Sequence, residues 1–145
     1  MKKQILIVGA GFGGMWSALS SARLLDKHER EDVQITVLAP EASLAVRPRF
    51  YEPDVHTMKA ELGPLFDSVG VNFIRGVADT IDVAGKTVGF TDANGSPSVF
   101  NYDKLVLAAG SRVVRPAAVS GVEHAFDVDL IAEASRLENH LKSLA

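Results

Sequence analysis

The feature that most constrains this chain is a glycine-rich turn between an apolar strand and an amphipathic helix. An apolar stretch at residues 5–8 runs into Gly9, Gly11, Gly13 and Gly14, and a helical pattern follows over residues 15–25. Gly9 allows a tight turn, Gly11 lacks a Cβ where a phosphate would approach the backbone, and Gly14 allows helix and strand to pack closely. Free N–H groups at the positive end of the helix then predict a pyrophosphate site.

The helical stretch after the turn supports this prediction, because its apolar residues recur at spacings of three and four. They are Met15, Ala18, Leu19, Ala22 and Leu25. One apolar stripe of this kind predicts a helix that lies on a sheet. We expect Trp16, on the flank of the stripe, to serve packing rather than chemistry. A glycine pattern alone is weak evidence, but here it has a strand before it and a helix after it.

Composition limits the classes of function. The chain has 145 residues, of which 47% are hydrophobic, so we expect one globular domain over residues 1–145. Its net charge of −3 and the lack of a dense basic run argue against nucleic acid and acidic lipid as partners. The sequence contains no cysteine, which excludes disulfides, thiolate metal ligands and a cysteine nucleophile from this chain.

Metal binding and membrane insertion are also not predicted. The four histidines are widely spaced, with no pair at helical or turn spacing, and we expect no metal site. No apolar run approaches the length of a membrane span, and no signal peptide precedes the first strand, so a cytoplasmic location is the default expectation.

The middle of the chain continues the alternation of strand and helix. Residues 33–38 predict a second buried strand, and residues 39–52, with Pro40 and Pro48 inside the segment and Pro53 directly after it, predict an irregular binding loop. Residues 54–69 predict one or two helical turns interrupted near residues 63–64. We expect the inward-facing residues of this segment to be Leu62, Leu65, Phe66 and Val69. Residues 71–74 predict a third strand.

The second half predicts a change of architecture. Short β segments at residues 78–82, 87–90 and 99–102, with polar turns between them, predict an antiparallel meander. Residues 104–108 predict a fourth buried strand, and a helix capped by Asp127 or Asp129 is expected to end the chain. The expected apolar residues of that helix are Leu130, Ile131, Ala134, Leu137 and Leu141. The predicted fold class is α/β, a Rossmann-like doubly wound parallel sheet with helices and a small antiparallel β-meander insertion.

Three features together resemble a known family: the glycine turn, the meander and the segment Tyr-Asp-Lys-Leu-Val-Leu-Ala-Ala-Gly-Ser at residues 102–111. The chain resembles the FAD-binding part of the two-dinucleotide-binding flavoproteins of the pyridine nucleotide-disulfide oxidoreductase superfamily. These include type II NADH dehydrogenases, ferredoxin reductases and sulfide:quinone reductases, and the likeness is greatest to the NADH dehydrogenase-like flavoproteins. The resemblance covers essentially the whole chain.

The resemblance implies a set of residues at the cofactor. Those around the FAD pyrophosphate would be Gly9, Gly11, Phe12, Gly13 and Gly14, those in the turn against the cofactor would be Ala109, Gly110 and Ser111, and the backbone of Ala78 would meet the adenine. Arg47 and Pro48 resemble the arginine-proline of ferredoxin reductase-like members, in which the arginine reaches the flavin or its pyrophosphate. A merely solvated Arg47 is the alternative.

One departure from the pattern concerns the end of the second strand. In this family and in Rossmann folds generally, that position is usually Asp or Glu, which accepts hydrogen bonds from the adenosine ribose. Here it is Ala39, followed by Pro40, with Glu41 two residues on. Either Glu41 reaches back to the ribose, or backbone and water hold it.

The function implied by the resemblance is that of a FAD-dependent oxidoreductase, which takes hydride from NADH or NADPH and passes electrons to an acceptor such as a quinone. The absence of cysteine argues against its dithiol and sulfide-oxidising branches. A second glycine-rich unit for the nicotinamide nucleotide is missing, so we expect a shortened, cleaved or split-gene chain that is inactive by itself, and we nominate no catalytic residue.

Two rival functions remain open at this point. One is a non-catalytic nucleotide-binding module, and the other is an NADP-binding Rossmann domain, for which the vacant acidic position would leave room. The expected partner is a small-molecule dinucleotide, with a second copy of the chain or a complementing chain left open. The full-length protein could lie at a membrane surface through a segment outside this chain.

Overall fold

The structure is a computed structural model, which describes residues 2–111, 113–114 and 120–144 and divides into two compact units. The first unit contains the residues up to Leu44 and Glu61–Gly110, and the second contains Ala45–Ala60 and the residues from Ser111 onward. The strands are β1 Lys3–Val8, β2 Val33–Ala39, β3 Ser43–Ala45, β4 Lys59–Glu61, β5 Asn72–Asp82, β6 Thr87–Asp92, β7 Pro97–Asn101 and β8 Lys104–Leu107. The helices are α1 Phe12–Lys27, α2 Gly63–Ser68 and α3 Ile131–Ser143.

The first unit is built on one six-stranded sheet in the order β7-β6-β5-β2-β1-β8. The adjacent strands β5, β2, β1 and β8 pair in parallel. The strands β5, β6 and β7 form an antiparallel meander. A two-stranded sheet of β3 and β4 is separate. This confirms the predicted α/β fold with a mostly parallel sheet and an antiparallel meander.

The central strands are apolar on both faces, as expected for parallel strands that are covered on both sides. Ile7 and Val37 face one cluster, in which α1 contributes Met15 and α2 contributes Phe66. The alternate residues of β1 and β2 face a second cluster, with side chains from the meander. That cluster consists of Leu6, Val8, Leu38, Val88 and Phe90, with partly buried neighbours. The meander therefore supplies part of the core.

The third strand is longer than predicted. The sequence predicts separate strands at residues 71–74 and 78–82, but β5 runs without a break from Asn72 to Asp82. Its first half pairs with β2 in parallel and its second half with β6 in antiparallel fashion, with a bulge between Ala78 and Thr80. One strand thus joins the two parts of the sheet, because it changes neighbours while its backbone stays extended.

The segment before β5 corrects two further predictions. The Gly63-Pro64 pair begins α2 instead of interrupting a helix, as suits a proline in the first helical turn. Phe66 is 1% exposed and stacks on Phe73 with ring centroids 6.3 Å apart, whereas Leu65 is 37% exposed. Val69 is also exposed, so the predicted inward face is half right. Consecutive residues of a helix point in different directions, so a short helix that packs on one sheet buries Phe66 and leaves Leu65 exposed.

Two other expectations need correction. The predicted irregular loop at residues 39–52 contains β3 and a short 3₁₀ turn at Arg47–Arg49 with Pro48 near its start. Trp16, expected to pack, has 59% of its surface exposed. The apolar stripe of α1 itself is confirmed, with Met15 and Ala18 buried and the other three residues packed against the same cluster.

The second unit has a small core of its own. Phe50, Val55 and Met58 pack with Ala134 of α3. The Glu138 carboxylate of α3 accepts hydrogen bonds from the N–H groups of Asp54 (2.8 Å) and Val55 (3.4 Å) and from Nζ of Lys142 (2.8 Å). This carboxylate therefore fastens α3 to the turn at residues 54–57.

The start of α3 differs from the prediction. Its N-cap is Leu130, with no side-chain cap, so neither Asp127 nor Asp129 caps the helix. The Asp127 carboxylate accepts a hydrogen bond from the N–H of Asp129, and Asp129 forms an ion pair with Arg47. Of the predicted apolar residues, Ala134 is buried while Leu130 and Leu141 are exposed.

We predict that Phe66→Ala lowers the free energy of unfolding by about 3–5 kcal/mol, because it removes a buried ring between α2 and β5. Leu65→Ala, one residue earlier on the same helix, is the matched control and should cost under about 1 kcal/mol. Urea unfolding of both variants measures the difference. Equal losses in the two variants would contradict the placement of α2.

A second prediction concerns pH. The hydrogen bond from Lys142 and those from the backbone N–H groups of Asp54 and Val55 lower the pKa of Glu138 from 4.5 to about 2. Because the pKa is lower in the folded chain, the stabilisation is present above pH 4.5 and is lost as the pH falls toward 2. We expect Glu138→Gln to flatten the stability profile of the second unit in this window.

The control for this pH prediction is Glu31→Gln, which makes the same charge change at an exposed residue with no described hydrogen bond or ion pair. Thermal unfolding between pH 2 and pH 6 measures both variants. A Glu138→Gln profile as steep as that of the Glu31→Gln control would show that the carboxylate does not link α3 to its turn.

Candidate functional site at the carboxyl end of the parallel sheet

The glycine turn lies where three backbone segments come together. Gly9 has φ +108°, and a Cβ there would overlap the carbonyl oxygen of Ala108, just past the end of β8. A Cβ on Gly14 would overlap the carbonyl oxygen of Gly9. The N–H of Gly9 donates to the carbonyl of Leu38 in β2 (2.8 Å). Both glycines are therefore required by packing, and the roles predicted for them as turn and close-contact residues match this geometry.

Gly11 is different, because none of the described residues fills the space beside it. Its backbone has φ −69° and ψ −171°, which any residue can adopt, and a Cβ there would meet no atom within 4 Å. Neither the backbone conformation nor packing against the described residues requires a glycine at this position, although glycine is a favoured N-cap. The open space is where the sequence predicts the approach of a phosphate.

The first turn of α1 presents unpaired donors beside that space. The first N–H of the helix to find an acceptor is that of Met15, which donates to the carbonyl of Gly11 (2.8 Å). In the part of the chain that the structure describes, the N–H groups of Phe12, Gly13 and Gly14 have no acceptor. The first turn contains no acidic residue. These donors and the positive end of the helix dipole favour an anion.

The structure brings the predicted turn after β8 next to the glycine turn. The N–H of Ala108 donates to the carbonyl of Val8 (2.8 Å), and a Cβ on Gly13 would lie 3.8 Å from the Cβ of Ala108. Ala109 follows, and Gly110 has φ +77°, a conformation that favours glycine. Two segments that are almost 100 residues apart in the sequence thus form one surface.

Ala39 and Pro40 end β2 on the same edge of the sheet. Ala39 is 4% exposed, while Pro40 and Glu41 are exposed. One carboxylate oxygen of Glu41 accepts a hydrogen bond from Oγ of Ser43 (3.2 Å). The last residue of β2 and the residue after it therefore carry no carboxylate.

Arg75 is the residue at this edge that sequence reasoning missed. It lies in β5 directly opposite Ala39, and its Nε donates to the carbonyl oxygen of Pro40 (3.1 Å). The signal that could have identified Arg75 is the parallel pairing of β2 with β5, which places residue 75 opposite residue 39. The sequence at the end of β2 does not contain this pairing by itself. A cationic side chain therefore lies beside the end of β2, the strand end at which an acidic residue is usual.

Ala78 lies three residues farther along β5 and pairs with Phe90 of β6. Its side chain packs in the second core cluster, so only its backbone is free to face a ligand. Within the described residues, β2 pairs with β5 only as far as Arg75. No described strand pairs with the β2 side of β5 beyond that residue, which leaves backbone groups for the predicted contact with adenine.

Arg47, Pro48 and Ser111 belong to the second unit. The guanidinium of Arg47 forms an ion pair with Asp129 and donates from Nη1 to Oγ of Ser111 at 3.5 Å. The structure thus brings Arg47 and Ser111 together within that unit. Their contact with a cofactor stays a prediction.

Neither a metal-binding cluster nor a membrane-spanning helix occurs in the described ranges 2–111, 113–114 and 120–144. No group of three or more histidine, aspartate or glutamate side chains is arranged to hold a metal ion there. Nor does any helix in these ranges combine the length and the apolar character that crossing a membrane requires.

Comparison with known proteins identifies relatives of the chain. Residues 3–145 match the family described as pyridine nucleotide-disulphide oxidoreductase. An NADH dehydrogenase-like protein of Mycobacterium tuberculosis is 36% identical over 144 residues, covering 98% of this chain and 35% of that protein. The sulfide-quinone reductase of Aquifex aeolicus is 29% identical over 119 residues, which are 79% of this chain and 26% of that one.

Solved structures share the fold. The sulfide:quinone oxidoreductase from Aquifex aeolicus superposes with a TM-score of 0.75 at 24% identity, over 98% of this chain and 32% of that one. NDH2 from Plasmodium falciparum, solved in complex with NADH, gives a TM-score of 0.76 at 18% identity, over 95% of this chain and 28% of that one. These identities show the fold alone.

The chain spans about a third of the length of the curated relative that it matches at 36% identity. The family match covers the glycine turn, the meander and the segment after β8, which are the features that carried the resemblance. The structure joins the first and last of these at one edge of the sheet. The predicted resemblance is thus confirmed, and the chain belongs to the pyridine nucleotide-disulphide oxidoreductase family.

Proposed function

We propose that this chain is the FAD-binding portion of an NAD(P)H-dependent flavoprotein oxidoreductase of the NADH dehydrogenase type. The observation that carries the proposal is the space at Gly11, which is open and lies beside the unpaired N–H groups of the first turn of α1. A diphosphate fits both the shape and the charge of this cradle. The family match and the NADH dehydrogenase-like relative support the choice of dinucleotide.

In this proposal each part of the edge binds one part of the cofactor. The backbone at Gly11, Phe12 and Gly13 donates hydrogen bonds to the pyrophosphate, and Gly9 and Gly14 hold that backbone in place. The turn at Ala109 and Gly110 lies against the cofactor, and the unpaired side of β5 near Ala78 meets the adenine. When bound, FAD supplies the hydride and electron transfer chemistry, and the chain supplies binding and orientation.

The reaction of the whole protein is a proposal that extends beyond this chain. We propose NAD(P)H as the hydride donor and a quinone as a candidate acceptor. The Aquifex relative named as a sulfide-quinone reductase supports a quinone. The chain itself has no cysteine, so a redox-active dithiol would have to come from another part of the protein. We assign no catalytic residue within the chain.

We predict that Gly11→Val weakens FAD binding at least tenfold and lowers the thermal unfolding temperature only slightly, since valine is a poorer N-cap than glycine. The new side chain would occupy the open space and keep the phosphate from N–H groups whose charge-assisted hydrogen bonds contribute about 1.5–3 kcal/mol. Titration calorimetry with FAD and with ADP measures the affinity, and differential scanning fluorimetry measures stability. Unchanged affinity for both ligands would rule out this cradle.

Two glycines serve as controls for that experiment. A Cβ on Gly63 also meets nothing within 4 Å outside its chain neighbours, so Gly63→Ala should leave binding unchanged. Gly14→Ala should instead destabilise the fold by about 1–3 kcal/mol, because its Cβ would overlap the backbone of Gly9. The three variants separate a blocked ligand site from a disturbed fold.

The same titrations also test the first rival, a non-catalytic nucleotide-binding module. FAD binding that quenches flavin fluorescence and is lost in Gly11→Val supports the flavoprotein. Binding of ADP together with no binding of FAD would favour the rival.

A further inference from the structure

Arg75 differs from Arg30, Arg47, Arg49 and Arg136, each of which forms an ion pair with a carboxylate. Arg30 pairs with Asp32, and Arg49 pairs with Glu52. Arg75 is exposed, and its one described hydrogen bond is to the uncharged carbonyl oxygen of Pro40. Among the described residues no carboxylate neutralises it. Its Nη groups therefore remain available as charged donors.

The position of Arg75 relates it to the proposed cofactor cradle. Gly9 follows β1, Ala39 ends β2, and Arg75 lies opposite Ala39 in β5. These strands are neighbours, so Arg75 is two strand spacings, or about 10 Å, across the sheet edge from the glycine turn. In a Rossmann-like sheet, the adenosine half of a dinucleotide extends across this edge from the first strand toward the second.

The hydrogen bond to Pro40 fixes the direction of the guanidinium. Because Nε is used on the carbonyl at the end of β2, the planar group is held beside the position at which an acidic residue would receive the ribose hydroxyls. A carboxylate there only accepts hydrogen bonds and repels a phosphate. A guanidinium only donates, and its fork matches phosphate oxygens.

We propose that Arg75 binds the adenosine ribose and that this site accepts a ribose phosphorylated at its 2′ oxygen. The inference rests on the proposed nucleotide-binding function of the same edge. For FAD, whose adenosine ribose has a free 2′ hydroxyl, the guanidinium donates to the hydroxyl oxygen. For a 2′-phosphorylated adenine nucleotide, it donates to the phosphate.

The test compares two ligands that differ only in the 2′ phosphate, AMP and adenosine 2′,5′-bisphosphate, by titration calorimetry on the chain. We expect the wild-type chain to bind the bisphosphate about tenfold or more tightly than AMP. Arg75→Gln should weaken the bisphosphate by about ten- to a hundred-fold and AMP by no more than a few-fold. Raising the salt concentration should weaken the bisphosphate more than AMP.

Two further variants separate binding from structure. Arg23→Gln makes the same charge change on an exposed residue of α1, about 16 Å along the helix from its N-terminus, and should change neither affinity. Arg75→Lys keeps the charge but loses the fork, and should retain part of the preference for the bisphosphate. If circular dichroism shows that Arg75→Gln does not fold, the loss of preference in Arg75→Lys is measured in its place.

The possible failures are distinguishable. If the wild-type chain binds AMP more tightly than the bisphosphate, the site does not accept a 2′ phosphate. If Arg75→Gln weakens both ligands by the same factor, Arg75 acts only by holding Pro40, and the inference is wrong. If AMP, the bisphosphate, ADP and FAD all fail to bind, the proposed function fails first and this inference fails with it.

Discussion

The close approach of backbone to backbone at the glycine turn is the contact on which the rest of the structure depends. The carbonyl of Gly9 touches the start of α1 at Gly14, and the carbonyl of Ala108 touches Gly9, with no room for a Cβ at either glycine. These contacts fix where the helix begins relative to β1 and where the chain after β8 can turn. They also leave the N–H groups of the first helical turn facing open space, because no side chain caps them. The same backbone contacts thus determine how the turn packs and where the N–H groups that favour an anion lie.

The electrostatics of this edge follow from which groups are left without partners. The first turn of α1 offers donors and has no acidic residue, and Arg75 adds a charged donor two strands away. In Rossmann-like folds this edge usually combines a phosphate-binding turn with a ribose-binding carboxylate. In this chain, hydrogen-bond donors lie at both ends of the edge. These donors favour an anionic group at either end of the edge, as the proposed nucleotide would provide.

The sequence predicted most elements of the first unit, because long apolar strands and a periodic helix carry strong signals. It failed where the outcome depended on neighbours. The break expected within residues 71–82 is absent, since β5 exchanges β2 for β6 as its partner. Leu65 and Phe66 are equally apolar, yet the short helix α2 buries only one of them. Asp129, a credible cap by sequence, instead pairs with Arg47, more than 80 residues earlier in the sequence.

For the candidate site, the sequence by itself determined the glycine turn and the absence of an acidic residue at positions 39 and 40, and it predicted a phosphate-binding role for Gly11. These are local properties, since a turn, a helix start and a strand end are specified by consecutive residues. Only the tertiary structure decided that Ala108 and Ala109 lie against Gly9 and that Arg75 lies beside Pro40. Both contacts join residues that are distant in the sequence, and they arise from strand order and register, which no local pattern contains.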